Sequence, residues 1–151
     1  MNIMVDADIL VDVLKRRHPY DVSARRLLFI GYLGEVTLWT SVSQFGDAFY
    51  VLTEGGRPSL IEEAKRQMAK LRQGVRVCSL SEDDADAALA STWDDAEAAM
   101  VYQAALKVKA DAIVTRERDR FSKSSIRVLG CDELFGFLER TQGLAFEEIP
   151  R

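Results

Sequence analysis

Acidic residues that directly follow apolar, strand-like runs are the residues of this chain best suited to chemistry. Met4-Val5 runs into Asp6 and then Asp8, and far along the chain Ile113-Val114-Thr115 runs into Arg116 and Glu117. In an open parallel sheet the ligand crevice lies just outside the carboxyl ends of the strands. Carboxylates from these segments can therefore converge there on a divalent metal. Asp6 reads equally as such a ligand or as a helix-capping residue, whereas Asp8 reads first as an N-cap. Asp12, one turn further, suits a hydrogen bond within the structure. Asp47 lies in Phe45-Gly46-Asp47-Ala48-Phe49-Tyr50, where a carboxylate among aromatics is costly unless paired, hydrated or metal-bound. Its alternative is the exposed face of a helix. Asp94, Asp95 and Glu97 make a further acidic group, with helix capping as the competing explanation because acids complement the macrodipole. In Thr115-Arg116-Glu117-Arg118-Asp119-Arg120-Phe121 the acid after a strand suggests a site, and the alternating charges suggest a solvated loop.

Placing these residues requires strands and helices in alternation. Residues 2–5 form a short strand, and Ile9 to Leu14 a helix capped by Asp8. Pro19 opens a second helix that Gly34 ends. Val36 to Thr40 is rich in strand formers. Ser41 or Ser43 caps a third helix stopped by Gly55-Gly56, and Pro58 starts a fourth with Ile61, Ala64, Met68 and Leu71 at helical spacing. Val75 to Cys78 is a strand, and Ser81 with Asp84 opens a fifth helix in the manner of a capping box. Asp94 or Asp95 opens a sixth, ending near Lys109. Strands at 112–114 and 126–129 follow, then a last helix capped by Asp132. Such alternation implies parallel pairing in an α/β sandwich, as one domain over residues 1–142 with a tail at 143–151.

Composition narrows the chemistry. The 151 residues, 48% hydrophobic and 29% charged, have the balance of an ordinary soluble domain. No apolar run reaches membrane-spanning length and the start lacks a signal-peptide pattern, so no membrane association and a cytoplasmic location are expected. Two cysteines, Cys78 and Cys131, fit neither a disulfide framework nor a zinc site. The only histidine is His18, beside Pro19, which argues against histidine triads. No phosphate-binding glycine loop is present. A net charge of −4 opposes nucleic-acid binding by the whole surface, while leaving room for a local basic groove or a metal site that grips phosphate. Trp39 and Trp93 read as packing residues.

Taken in order, Val5-Asp6-Ala7-Asp8-Ile9-Leu10-Val11-Asp12, Ser41-Val42-Ser43 with Asp47-Ala48-Phe49-Tyr50-Val51-Leu52, Asp95-Ala96-Glu97-Ala98, and Ala110-Asp111-Ala112-Ile113-Val114-Thr115-Arg116 with Phe121 resemble the PIN-domain family, and within it the VapC-type toxins. The resemblance implies a three-layer α/β/α sandwich with a central parallel sheet. It also implies an endoribonuclease acting on single-stranded RNA through Mg²⁺ or Mn²⁺. Asp6 then matches the first metal-binding acid, Asp47 the second (usually Glu), and Glu117 an acid or amide position near the end of the site. The usual third acid falls on Ala98, with Asp94 or Glu97 as compensating carboxylates, and another falls on Arg120. Thr115 would hold a water or a ligand carboxylate. Lys15, Arg16, Arg116, Arg118 and Arg120 would line the RNA-binding rim. A small antitoxin placing a basic side chain in the acidic pocket, and a homodimer through residues 45–71, are the implied protein partners. With two acids replaced, the alternative is a catalytically impaired PIN-fold protein that works by binding RNA or protein.

Overall fold

The computed structural model describes residues 1–143. The expected tail beyond Gly143 lies outside them. Five strands form a wholly parallel sheet: β1 (Asn2–Val5), β2 (Thr37–Ser41), β3 (Val75–Cys78), β4 (Ala112–Val114) and β5 (Arg127–Leu129), in the spatial order β3-β2-β1-β4-β5. The chain builds outward from β1 through β2 to β3, then returns to the other side of β1 for β4 and β5. The order therefore reverses between β1 and β4, and a crevice opens at their carboxyl ends. Asp6 follows β1 there, its amide bonded to the Val114 carbonyl at 3.0 Å, and Thr115 follows β4.

Alternation along the strands sends side chains into two separate cores. Ile3, Val5, Leu38, Val75 and Val114 face α1 (Ala7–Leu14), α2 (Tyr20–Tyr32), α3 (Val42–Leu52), α4 (Pro58–Leu71) and α7 (Cys131–Gln142). Met4, Cys78 and Ile113 face the opposite way, against α6 (Ala96–Lys107), which packs on the sheet through Ala98, Val101, Ala104 and Ala105. These small residues let α6 lie close to the sheet. The remaining helix, α5 (Glu82–Ala90), packs beside α6. The three-layer sandwich expected from the sequence is thus the observed architecture. Trp93 serves packing, stacked on Tyr102 at 4.8 Å between ring centroids. At Gly31 an added Cβ would lie 2.9 Å from the Gly74 carbonyl oxygen and 2.7 Å from Leu38 Cδ1, so α2 can approach β2 only with glycine there. No helix among the described residues is long and apolar enough to cross a membrane.

Helix starts follow the expected chemistry with two exceptions. Ser41 caps α3 with Gln44 in a reciprocal box, and Ser81 caps α5 with Asp84. At α1, however, Asp6 rather than Asp8 is the N-cap: its side chain accepts the Ala7 amide at 2.8 Å. At α7 the cap is Gly130 rather than Asp132, whose carboxylate instead accepts the Ser23 hydroxyl at 2.6 Å. In both cases the strand ends one residue or more earlier than the acid, and the backbone turns into helix at once. The acid in the first turn is then free to reach across to another element.

Candidate metal centre

Asp6 is the hub of the crevice. It is buried, only 3% exposed, and is held from three sides. Oδ1 accepts from the Gln44 side-chain amide and the Ala7 backbone, both at 2.8 Å, and Oδ2 accepts the Thr115 hydroxyl at 2.8 Å. Gln44 is presented by the first turn of α3, where its other amide atom receives the Ser41 backbone N–H at 3.1 Å. One capping residue therefore both starts α3 and orients Asp6. Thr115 is wholly buried and accepts the Glu117 amide at 3.0 Å, tying the end of β4 to the same point.

Asp8 turns from α1 toward the loop after β4. Its Oδ2 accepts the Arg116 amide at 3.0 Å, and its Oδ1 is buried without a hydrogen-bond partner. Burial and the adjacent Asp6 charge push the Asp8 carboxyl up to about 6, against the opposing pull of the Arg116 amide and guanidinium. A buried carboxylate oxygen with no donor is costly, and a cation is what would satisfy it. Asp6, Asp8 and Glu117 each offer an oxygen, and the three lie within 4.8 Å of one another. Oxygens on opposite sides of a Mg²⁺ or Mn²⁺ ion lie about 4.2 Å apart at bond lengths of about 2.1 Å. A small inward movement of the exposed Glu117 closes the difference, so hard oxygen donors of this kind fit such an ion.

Arg120 meets the cluster from the short 3-10 turn Arg118–Phe121. Its guanidinium bonds Glu117 at 2.8 Å and Asp95 at 2.9 Å, and lies 3.8 Å from both Asp6 and Glu97. Partial burial works against its charge, but the Glu117 and Asp95 bonds and the Asp6 carboxylate outweigh it and hold the proton more firmly than usual. Asp95 is at the same time the N-cap of α6, accepting the Ala98 amide at 3.0 Å. That amide and Arg120 lower its carboxyl below the ordinary range. Glu97 is raised by burial, opposed by Arg120 and reinforced by Asp47, Asp95 and Asp6.

The residues expected from the sequence divide into those brought together and those kept apart. Asp6, Thr115, Glu117 and Arg120 converge, with Glu97 at the edge. Asp47 does not join the oxygen cluster: it is exposed on α3, one turn beyond Gln44, and acts on Glu97 only through its charge. Asp94 precedes α6 and is exposed, and its neighbour Asp95 takes the place foreseen for it. Ala98 is wholly buried. Lys15 and Arg16 sit past the far end of α1, about 13 Å along the helix from Asp6. Arg16 lines a groove with Leu28, Tyr32 and Lys70, away from the crevice. Arg116 is spent on Asp12, and Arg118 pairs with Glu133 at 2.6 Å. A cleft of about 500 Å³ bordered by Tyr20, Arg116, Arg118 and Glu133 lies on the other side of Thr115, and Asp6, Asp8 and Glu117 do not line it. Gln44 went unrecognised as a member of the site, and Asp8 and Asp95 were weighed there with helix capping as the competing explanation. Gln44 was legible as the fourth residue of a Ser-x-x-Gln capping box; nothing in the sequence marks its second bond to Asp6.

The arrangement of buried carboxylates at a parallel-sheet crevice agrees with the sequence comparisons. The PIN-domain family model matches residues 2–119, and the chain belongs to that family. Among solved structures it is similar to VapBC2 from Rickettsia felis, bound to a DNA fragment from their promoter, at 13% identity and a TM-score of 0.59 over 85% of this chain and 97% of that one. It is also similar to VapC20 from Mycobacterium tuberculosis, a sarcin-ricin loop cleaving toxin, at 16% identity and a TM-score of 0.59 over 80% and 94%. VapBC-1 from nontypeable Haemophilus influenzae matches at 15% identity and a TM-score of 0.58 over 87% and 99%. At these identities the likeness is one of fold. No curated protein matches the sequence.

Proposed function

We propose that this chain is a Mg²⁺- or Mn²⁺-dependent endoribonuclease of the toxin type, cutting single-stranded RNA and held in check by a small antitoxin protein. The observation that carries the reading is Asp6: a buried carboxylate after the central strand, oriented by Gln44 and Thr115 and facing Asp8 and Glu117. Asp6, Asp8 and Glu117 would hold the ion, with Asp47 adding negative charge from the face of α3 and joining through a water. When bound, the ion would supply Lewis acidity, lowering the pKa of a water and taking up charge on the phosphate. The chain's own part is positional. Gln44 and Thr115 fix the Asp6 oxygens, and the cleft beside Tyr20 and Arg118, which shares Thr115 with the site, would take the neighbouring nucleotides. The exposed Arg118–Glu133 pair is weak enough for Arg118 to exchange its carboxylate for an RNA phosphate.

The reading supports a cytoplasmic protein, and the VapB-bound relatives support an antitoxin partner. Residues 45–71 include Tyr50 at 65% exposure, which supports a homodimer through that surface. The test is incubation of the chain and Asp6→Asn with single-stranded RNA and Mn²⁺. Cleavage at least about a hundredfold slower in the variant is expected for loss of a metal ligand, and equal cleavage overturns the assignment. A second reading, a PIN-fold protein that binds RNA or protein without cutting, is favoured by Arg120, which places a cation among the ligand carboxylates. It predicts no cleavage by the native chain and recovery in Arg120→Asp.

A further inference from the structure

Four carboxylates surround one guanidinium in the crevice: Glu117 at 2.8 Å, Asp95 at 2.9 Å, and Asp6 and Glu97 at 3.8 Å. Two of them, Asp6 and Glu117, belong to the oxygen cluster that would hold a divalent ion. A guanidinium that bonds Glu117 and lies against Asp6 neutralises the same charge that an ion would neutralise. The two cations also repel each other at such range. The guanidinium is nonetheless poorly fixed. Its contacts go singly to separate acids, so it forms no bidentate pair of the kind that locks arginine in place. Three of the acids, Asp95, Glu97 and Glu117, are well exposed, and the Arg120 side chain itself is 26% exposed, so an outward path exists. Arginine also matches phosphate oxygens as well as carboxylates.

Resting on the metal-centre reading above, we propose that Arg120 is the resident cation of the acidic cluster, that a divalent metal enters only as the guanidinium leaves, and that a nucleic-acid phosphate is what draws it out. Metal and nucleic acid then bind with positive coupling, and the coupling passes through one side chain. In the free chain the cluster is closed to metal by its own arginine. In the presence of RNA, Arg120 moves to the backbone phosphate, and Asp6 and Glu117 are left without a cation partner facing Asp8. The coupling is reciprocal, so metal tightens RNA binding by the same factor.

The experiment measures Mn²⁺ binding to the full chain from the electron paramagnetic resonance signal of free Mn²⁺. It is run with and without a single-stranded 2′-O-methyl RNA oligonucleotide, for the native chain, Arg120→Gln, and Arg120→Gln combined with Asp6→Asn. Arg120→Gln is expected to bind Mn²⁺ at least about tenfold more tightly than the native chain. The oligonucleotide is expected to tighten Mn²⁺ binding to the native chain and to change Arg120→Gln little. The double variant should lose the gain, which places it at Asp6. Equal or weaker Mn²⁺ binding by Arg120→Gln overturns the proposal, as does an oligonucleotide effect that is absent from the native chain or undiminished in the variant. Tight binding to native chain and Arg120→Gln alike, lost with Asp6→Asn, leaves the metal centre standing and removes only the role of Arg120. Absence of Mn²⁺ binding in every protein, with or without oligonucleotide, overturns both.

Discussion

Two arginines four positions apart in one loop meet acids in opposite ways. Arg116 gives two parallel bonds, Nε at 2.8 Å and a terminal nitrogen at 2.9 Å, to the wholly buried Asp12, and lies 3.9 Å above the Tyr20 ring. Arg120 spreads itself over four carboxylates and forms a bidentate pair with none. The first pair has one satisfactory partner for each charge, and fixes the loop after β4 onto α1. The second relieves repulsion within a group of acids, a task that any cation could perform. Geometry of this kind separates an ion pair that holds the fold from one that holds a site.

The largest effect should come from breaking the first pair. Arg116→Ala leaves Asp12 charged and buried without its partner, and a loss of about 3 kcal/mol is expected in urea unfolding. Asp12→Leu combined with Arg116→Met should recover most of it, because replacing both partners by apolar groups avoids the stranded charge. A loss under about 1 kcal/mol for Arg116→Ala would erase the distinction between the two arginines, since that is the range of exposed pairs. Arg120→Ala, by contrast, should cost about 1 kcal/mol or less in metal-free buffer, because three of its four acids can turn to water. Adding millimolar Mn²⁺ should raise the melting temperature of Arg120→Ala more than that of the native chain. The reverse order would show that Arg120 supports the cluster rather than competes with metal.

The same contrast explains what could be read from the sequence. Parallel pairing, the α/β sandwich and the helix starts at Ser41, Pro58 and Ser81 follow from local patterns, because short strands between capped amphipathic helices leave few arrangements; the strand order does not. Asp6 and Glu117 were legible for the same reason, each standing just past an apolar run that the sheet must place at the crevice. Asp8 reads as the cap that Asp6 supplies, because a helix start offers an acid two uses, while Asp95 caps α6 as one of the two acids expected there. Which acid caps depends on the residue at which the strand gives way, and that boundary is uncertain by a residue or two. Asp47 is placed differently: helical rotation carries it outward while Gln44, one turn earlier, points at Asp6. The Arg116–Asp12 pair is invisible locally, since its partners are brought together only by parallel pairing of β1 with β4.

A smaller effect tests the Arg120 side by pH. Asp95 accepts the Ala98 amide and the Arg120 guanidinium, and both hold its carboxyl below the ordinary 3.8. A carboxyl lowered on folding binds fewer protons in the native state, so its contribution is present above about pH 4 and disappears as pH falls through the native value. Asp95→Asn keeps a side-chain oxygen for the α6 cap and removes the charge. At pH 7 the variant should be less stable by under about 1 kcal/mol, since Asp95 is more than a third exposed and solvent screens the pair. Once the pH has fallen below the lowered native value of the Asp95 carboxyl, the two proteins should unfold at the same denaturant concentration. In an Arg120→Ala background the difference at pH 7 should shrink but not vanish, because the amide of Ala98 still favours the charged form. A difference unchanged by Arg120→Ala would assign the whole effect to the helix cap, and Arg120 would then hold Asp95 without stabilising it.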